Sequence, residues 1–290
     1  MHEHLIALRP ARYETPEKAT HIGVIEQPIP TWQRVWGNGA VRKIVLLVVL
    51  ALLWEGYARH INSPLLVPSF GATIGAFFEG FASGVLVDRI LYSLHVLALG
   101  YAAGLALAAV LTVVAIGTQI GTDLLETLTS MFNPLPSIAL LPLALIWFGL
   151  GIPSIVFVII HSVLWAVSLN THTGFRSVSP TLRMVGRNAG LRGLRYVGLI
   201  LVPAAFPSIL TGLKIGWAFA WRTLIAAEMV FGVSAGSGGL GWFIFENKNQ
   251  LEIANVFAGL FCVILIGLLV ENFVFRLIEA RTIRRWGMQN

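Results

Sequence analysis

Residues 91–117 read LYSLHVLALGYAAGLALAAVLTVVAIG, and this stretch contains no Asp, Glu, Lys or Arg. An α-helix needs about 20 consecutive apolar residues to cross the roughly 30 Å of hydrocarbon in a bilayer. The stretch exceeds that length without a formal charge. It therefore predicts a membrane-spanning helix.

Five further stretches have the same character, so the chain is expected to be an all-α membrane protein with six transmembrane helices. The composition agrees, since 56% of the residues are hydrophobic and only 12% are charged, with a mean hydropathy of +0.78. A soluble domain carries about 25% charged residues. The six predicted spans are residues 41–57, 91–117, 125–150, 153–170, 204–231 and 253–278.

The distribution of Lys and Arg predicts the orientation of these spans. With the N-terminus inside, 15 of these residues fall on the cytoplasmic side and three on the other side. Cytoplasmic loops carry the excess of positive charge in membrane proteins. Both termini are therefore expected in the cytoplasm, with residues 1–40 as a polar tail, 41–280 as the membrane domain and 281–290 as a basic tail. The net charge of +6 is explained by topology rather than by binding to nucleic acid.

Residues 172–203 are expected to form a cytoplasmic loop with two helices and a turn. Ser179 can cap a helix that begins with Pro180, because proline at the first helical position gives up an amide that has no partner there. Gly190 can end this helix in a left-handed conformation. The residues alone leave a second interpretation open, a basic loop held near anionic lipid headgroups.

This loop resembles the cytoplasmic loop of binding-protein-dependent ABC importer permeases. Met184-Val185-Gly186 stands where that family has Glu-Ala-Ala, and Gly190 and Pro203 match its glycine and proline in spacing, while the acidic residue is lost. Further stretches resemble the nitrate, sulfonate, taurine and bicarbonate branch. They are NPLPSIALLP at 133–142, IWFGLG at 146–151, AWR at 220–222, AAEM at 226–229 and GGLG at 238–241.

The resemblance implies a type I ABC importer permease fold and a multi-pass location in the bacterial inner membrane. It also implies a homodimer of permeases that contacts two cytoplasmic ATPase subunits, with a periplasmic binding protein delivering a small anion. The chain would not itself be an enzyme, and the partner ATPase would bind ATP and Mg. The residues implied in ATPase coupling are Pro180, Leu182, Arg183, Met184, Val185, Gly186, Arg187, Gly190 and Pro203.

One observation supports a separate ATPase independently of the resemblance. No segment matches G-x-x-x-x-G-K-[ST], and no glycine in the chain is followed by lysine. A phosphate-cradling loop of that type is needed by P-loop ATPases. An ion-coupled secondary transporter is the alternative, although it would need its own coupling-ion site and usually shows an internal repeat.

Charged and helix-breaking residues inside the spans are candidates for the translocation path. A charge at mid-bilayer costs about 2.5 to 3.5 kcal/mol, so Arg222 and Glu228 each need an explanation. Their spacing of six residues places them about 240° apart on a helix, which disfavours a direct pair. Each can line an aqueous path or pair with another helix. Prolines break a helix, and broken helices at membrane depth often line a cavity, which adds Asn133, Pro134 and Pro136 to the candidates.

Two patterns concern packing and the outer surface. Gly100-x-x-x-Gly104-x-x-x-Ala108 and Gly212-x-x-x-Gly216-x-x-x-Ala220 each predict close helix contact, either within one subunit or across a dimer. Outside the membrane, residues 64–88 are expected to include a short amphipathic helix at the interface. Residues 232–250, rich in Gly and Ser, are expected to form a loop or a short re-entrant hairpin.

Overall fold

The computed structural model describes residues 31–231 and 238–283, and every regular element in those ranges is helical. The chain divides into two units, Met1–Leu50 and Ala51–Asn290. Parts of the predicted tails and of the Gly- and Ser-rich outer segment, residues 1–30, 232–237 and 284–290, lie outside the described residues. The all-helical prediction is confirmed for the part of the chain that is described.

The helices follow one another with short connections. The first unit contains α1 and the start of α2, and the second contains the remaining elements. A 3₁₀ turn at Ser137–Leu140 precedes α6, and π turns at Val197–Leu201 and Val270–Phe275 precede α10 and α13. The helices are α1 Thr31–Gly37, α2 Gly39–Ile61, α3 Phe70–Ala82, α4 Val85–Gly117, α5 Gln119–Phe132, α6 Leu141–Phe148, α7 Ile152–Ser177, α8 Pro180–Asn188, α9 Gly193–Tyr196, α10 Val202–Phe231, α11 Leu240–Asn249, α12 Ile253–Leu269 and α13 Arg276–Arg281.

Five straight helical runs in the described residues are long and apolar enough to cross a membrane, and a bent pair makes a sixth candidate span. The five runs are Gly39–Ile61, Val85–Gly117, Ile152–Ser177, Gly193–Val230 and Ile253–Arg281. This agrees with the predicted number of spans. The fourth run, Gly193–Val230, also contains α9, the second helix of the predicted loop, so this helix and the span form one continuous element.

The predicted third span, residues 125–150, differs from the structure. It consists of Gln119–Phe132 and Ser137–Phe148, which meet at 88°. Pro134 and Pro136 lie in the break, and neither has a backbone N–H to continue the hydrogen bonds of α5. The second half restarts as a 3₁₀ turn after Pro136 before α6 begins. A straight span over these residues is therefore wrong, whereas the expected break is confirmed.

Helix α7 is the most buried of the five runs, since 61% of the residues in its most apolar stretch lie inside the molecule. Both glycine stripes pack against it. A Cβ added at Gly100 would lie 2.6 Å from Ile159 of α7, and one at Gly104 would lie 2.8 Å from Val163. On the other side, a Cβ at Gly212 would lie 2.8 Å from the Cβ of Asn170. The stripes therefore serve contacts within one subunit, the first of the two possibilities left open by the sequence.

The outer segment 238–250 contains a helix rather than only a loop. Leu240, Phe243 and Ile244 of α11 are buried. Their spacing of i, i+3 and i+4 gives one apolar face, and Gly259 of α12 allows this face to approach closely. The prediction of a loop is wrong for residues 240–249, because the preceding glycines obscured this short periodic pattern. Helix α3 packs Phe77 against Phe261 of α12 with ring centroids 5.4 Å apart.

Candidate translocation cavity and coupling helix

The bend between α5 and α6 opens a cavity of about 360 Å³ against α7 and α10. Four of the five predicted path residues, Asn133, Pro134, Pro136 and Arg222, line it together. They come from two elements far apart in the sequence, and the bend brings the first three towards α10. The cavity is also lined by Ser137, His161, Ser162, Trp165, Phe219, Thr223 and Ala226, which sequence reasoning did not single out as path residues.

A spacing signal could have found part of this missed set. Phe219, Arg222, Thr223 and Ala226 recur at i, i+3, i+4 and i+7, so they share one face of α10. Once Arg222 is placed in a path, Thr223 and Ala226 follow from helical geometry. No comparable signal exists for His161, whose position depends on how α7 packs against the bend.

The Arg222 side chain is exposed and makes no hydrogen bond or ion pair with residues 31–231 or 238–283. Arg89, Arg176 and Lys214 differ from it, since each pairs with a carboxyl group. A guanidinium at this depth is costly unless water or an anion compensates it. The cavity therefore presents a fixed positive charge to whatever enters.

His161 joins the broken span to α7. Its Nδ1 lies 3.2 Å from the Ser137 hydroxyl, so it contacts the first residue after the break. The ring lies against Trp165, which in turn stacks on Phe132 with centroids 5.4 Å apart and an interplanar angle of 13°. The other ring nitrogen, Nε2, is buried and has no hydrogen-bond partner in the described part of the chain. These contacts fix one wall of the cavity.

Glu228 does not line this cavity. It is 2% exposed, and both carboxyl oxygens lie 2.8 Å from the Ser93 hydroxyl of α4. Its Oε2 also accepts a hydrogen bond of 2.9 Å from the Gly241 amide of α11. Of the two roles that the sequence left open, the structure shows contact with other helices for Glu228, and a place in a cavity for Arg222.

Glycines make this contact possible. A Cβ at Gly239 would collide with Glu228 and Ser93, and a Cβ at Gly241 would lie 2.7 Å from the Glu228 Cβ. Arg89 extends the network, because its guanidinium donates to the Gly238 carbonyl at 2.7 Å and pairs with Glu246 at 3.2 Å. This explains the GGLG stretch physically, since the backbone here must approach two buried polar side chains.

The helix predicted to begin after Ser179 is confirmed as α8. The Ser179 side chain accepts from the Leu182 amide at 3.3 Å, and Pro180 occupies the first turn. Gly190 has φ +76° and donates to the Arg187 carbonyl, while Leu191 donates to the Gly186 carbonyl. These two bonds form a Schellman motif, which satisfies the last carbonyls of a helix.

Helix α8 has two distinct faces. Met184, Val185 and Leu182 are 58%, 56% and 37% exposed, and together form an apolar surface without a partner in the described residues. On the inner face, Gly186 is buried, and a Cβ there would lie 2.9 Å from Ile200 and 3.1 Å from Tyr196. The small residue lets α8 lie directly on the chain that leads into span five.

Arg183 ties α8 to the end of α7. Its guanidinium donates to the Phe175 carbonyl at 2.5 Å and to the Val178 carbonyl at 3.1 Å. These carbonyls belong to the C-terminal turn of α7, where a positive charge is favoured. Arg183 is therefore already engaged within its own chain.

Pro203 has the expected place at the end of the loop, but it lies inside a continuous helical run. The π turn Val197–Leu201 immediately precedes it. Proline cannot donate to the carbonyl four residues earlier, and its ring crowds that carbonyl. The π turn is wider than an α-helical turn, and it gives the carbonyl beneath the Pro203 ring the extra room that it needs.

Long apolar helices, a broken span and a cavity of solute size define a multi-pass membrane protein of the permease class. Residues 100–284 match the model of one family, the binding-protein-dependent transport system inner membrane component. The chain belongs to this family.

Individual relatives cover most of the chain. It is 30% identical to a putative ABC transporter permease protein of Methanocaldococcus jannaschii, over 80% of this chain and 87% of that protein. It is 30% identical to a nitrate import permease protein of Synechocystis sp. over 92% and 93% of the two chains. Identity to the taurine transport system permease protein of Escherichia coli is 28% over 78% and 82%. These names fit an ABC permease and not the alternative of an ion-coupled secondary transporter.

Proposed function

We propose that the chain is the permease subunit of a bacterial ATP-driven importer and forms the path for a small anion of the nitrate, sulfonate, taurine or bicarbonate class. One observation carries this proposal. The guanidinium of Arg222, which has no hydrogen-bond or ion-pair partner among the described residues, faces a cavity of about 360 Å³ at the broken span. The names of the relatives support the same solute class.

The charge of the cavity favours an anion. None of the described residues that line the cavity is Asp or Glu, whereas Arg222 is among them, so the charge at the cavity wall is positive. In a cavity shielded by apolar walls, Coulomb interactions are less screened than in bulk water. An anion entering from either side gains from Arg222, and a cation of similar size is repelled.

Energy for transport would come from two separate ATPase subunits, which bind ATP and Mg. The apolar surface formed by Leu182, Met184 and Val185 suits docking into such a partner, because burying it removes exposed apolar area from water. Four other residues of the proposed coupling element act inside the chain. Pro180 and Gly190 define the ends of α8. Gly186 allows α8 to pack closely on the segment that leads into span five, and Arg183 donates hydrogen bonds to the end of α7.

A second copy of the permease would complete the path. The end of α6, where Ile146, Trp147 and Phe148 are 79%, 57% and 50% exposed, is an apolar surface that we assign to contact with this second copy. We place both termini, the tails 1–40 and 281–290, and the coupling loop 172–203 in the cytoplasm. The opposite face, with residues 64–88 and 232–250, would receive the periplasmic binding protein, and the membrane domain 41–280 would lie in the bacterial inner membrane in contact with lipid.

Transport in proteoliposomes tests the proposal. The chain, reconstituted with its ATPase and binding protein, should take up labelled nitrate, sulfonate, taurine or bicarbonate only when ATP is supplied. Arg222→Gln should lower uptake at least tenfold, and Arg222→Lys should retain more of it. Arg176→Gln is the matched control, because Arg176 is exposed, paired with Glu126 and outside the cavity. Unchanged uptake in Arg222→Gln would contradict an anion path here.

Docking needs a separate test. Met184→Asp should weaken association with the ATPase, because it introduces a charge into the apolar surface of α8. Leu251→Asp is the control, since Leu251 has a similar exposure of 62% and follows α11 in the outer segment. Co-purification of ATPase with the Leu251 variant but not with the Met184 variant is the expected result. Equal recovery with both would remove α8 as the docking element.

A further inference from the structure

A groove of about 610 Å³ lies beside α8, on the side away from the apolar surface. Its floor is the end of α4, with Val113 and Ile116, and its rim is formed by α8 and the segment leading into α9. The two spans that border it, Val85–Gly117 and Gly193–Val230, both reach this level. The groove is therefore placed where spans meet the cytoplasmic segment.

The positive charge of the groove is not neutralised by any residue in the part of the chain that the structure describes. Arg187 and Arg192 line it, and their side chains make no hydrogen bond or ion pair with residues 31–231 or 238–283. Arg183 also lines it but donates to two carbonyls of its own chain. As the stretch 127–227 contains no acidic residue, the two free guanidinium groups have no nearby carboxylate in sequence.

The apolar half of the groove distinguishes between possible anions. Leu194 is 73% exposed, and it lines the groove together with Val113, Ile116 and Val197. A small soluble anion would pair with the arginines and leave this apolar surface in water. A phospholipid covers both parts, because its phosphate meets the arginines and its glycerol and upper acyl carbons meet the apolar wall.

We propose that this groove binds one anionic phospholipid, with Arg187 and Arg192 holding its phosphate. Arg187 is part of α8, and Arg192 precedes α9, so a shared phosphate links the two sides of the Gly190 turn. Tyr196 lines the groove and also contacts Gly186 of α8. A bound lipid therefore stabilises the position of α8 against the membrane domain, whatever solute is carried.

Native mass spectrometry of the purified chain tests this with two probes of identical acyl chains, phosphatidylglycerol and phosphatidylcholine. The parent chain should retain one phosphatidylglycerol in preference to phosphatidylcholine. Arg187→Gln with Arg192→Gln should reduce the preference by about fivefold for each arginine removed. Arg195→Gln is the matched control, because Arg195 is a neighbouring exposed arginine that does not line the groove.

Any one of four outcomes would overturn the proposal. One is equal retention of the two lipids by the parent chain. Another is an equal loss in Arg195→Gln, which would indicate general attraction between a basic surface and anionic lipid. The third is displacement of phosphatidylglycerol by millimolar inorganic phosphate, which would indicate a site for a soluble anion. If the double variant instead lost the ATPase in lipid-free detergent and kept its lipid preference, the groove would belong to a protein partner.

Discussion

The Ser93 hydroxyl lies 2.8 Å from both carboxyl oxygens of Glu228, although 135 positions separate the two residues in the sequence. The same hydroxyl accepts from the Leu240 amide at 2.9 Å. One side chain of α4 thus connects α10 to the start of α11. The contact is buried, so water cannot replace either partner without a conformational change.

Ser93→Ala should destabilise the protein by about 1 to 3 kcal/mol, because it leaves the Glu228 carboxyl group and the Leu240 amide short of a buried partner. Glu228→Gln should also destabilise the protein. The NH₂ group of the new glutamine would face the Gly241 N–H or the Ser93 hydroxyl, so that two donors would meet where a donor now meets an acceptor. Thermal denaturation in detergent measures both. Glu79→Gln, at an exposed position on α3, should leave the midpoint unchanged. A parent-like midpoint in both network variants would contradict a structural role.

Gly241→Ala should be among the most damaging substitutions of a glycine in this chain. Its Cβ would meet the Ile225 carbonyl and the Glu228 side chain, which are held by the buried network. Gly75→Ala in α3 is the control, because a Cβ there has nothing within 4 Å. Alanine is favoured over glycine in a helix, so this control should be neutral or slightly stabilising. The yield of folded protein and its denaturation midpoint report the difference, and equal midpoints would refute the close approach.

Gly190→Val should uncouple ATP hydrolysis from the solute. Its φ of +76° suits glycine, and a β-branched residue is strained there by at least about 1 to 2 kcal/mol. The valine variant can relieve this strain only by adopting a different φ at position 190, and this would change the direction of the chain after α8. Gly198→Val is the spatial control, because its Cβ also has open space and its φ is ordinary. Solute-stimulated ATPase activity should fall in the first variant only, and parent-level stimulation in it would show that the turn is not needed.

Arg183→Gln should separate α8 from α7 without preventing membrane insertion. The glutamine side chain cannot reach both the Phe175 and Val178 carbonyls as the guanidinium does. Stimulated hydrolysis should decline while the amount of protein in the membrane is retained. Arg195→Gln, which removes the same charge nearby, should keep stimulation. A similar decline in both variants would mean that net charge, and not this contact, is required.

The parts of the structure set by neighbouring residues could be predicted from the sequence. Ser179, Pro180 and Gly190 determine the ends of α8 through bonds that span only a few positions, and all three predictions are confirmed. Hydropathy identified the spans for the same reason, since each is a continuous run. Prolines predicted a break at Pro134 and Pro136, but the angle of 88° depends on packing against distant helices.

The parts set by distant contacts could not be predicted in this way. Glu228 and Arg222 look alike in a sequence, as charges within one span, yet one is buried against α4 and the other faces a cavity. The difference follows from Ser93 and His161, which lie on other helices. Only knowledge of which helix faces meet separates a charge that holds the fold from one that faces a solute.

Helix α7 is held at two points, in its C-terminal turn and in its middle. Arg183 donates to the Phe175 carbonyl of the C-terminal turn, and His161, 14 residues earlier and about 21 Å away along the axis, contacts Ser137. Between these two points, α7 packs against glycines of α4 and α10. Few flexible side chains are therefore available there to absorb a displacement of α7. Under the proposed coupling, a displacement of the α8 end would reach the wall of the cavity as a tilt of α7, and the size of that tilt would set how far the wall opens for each ATP consumed.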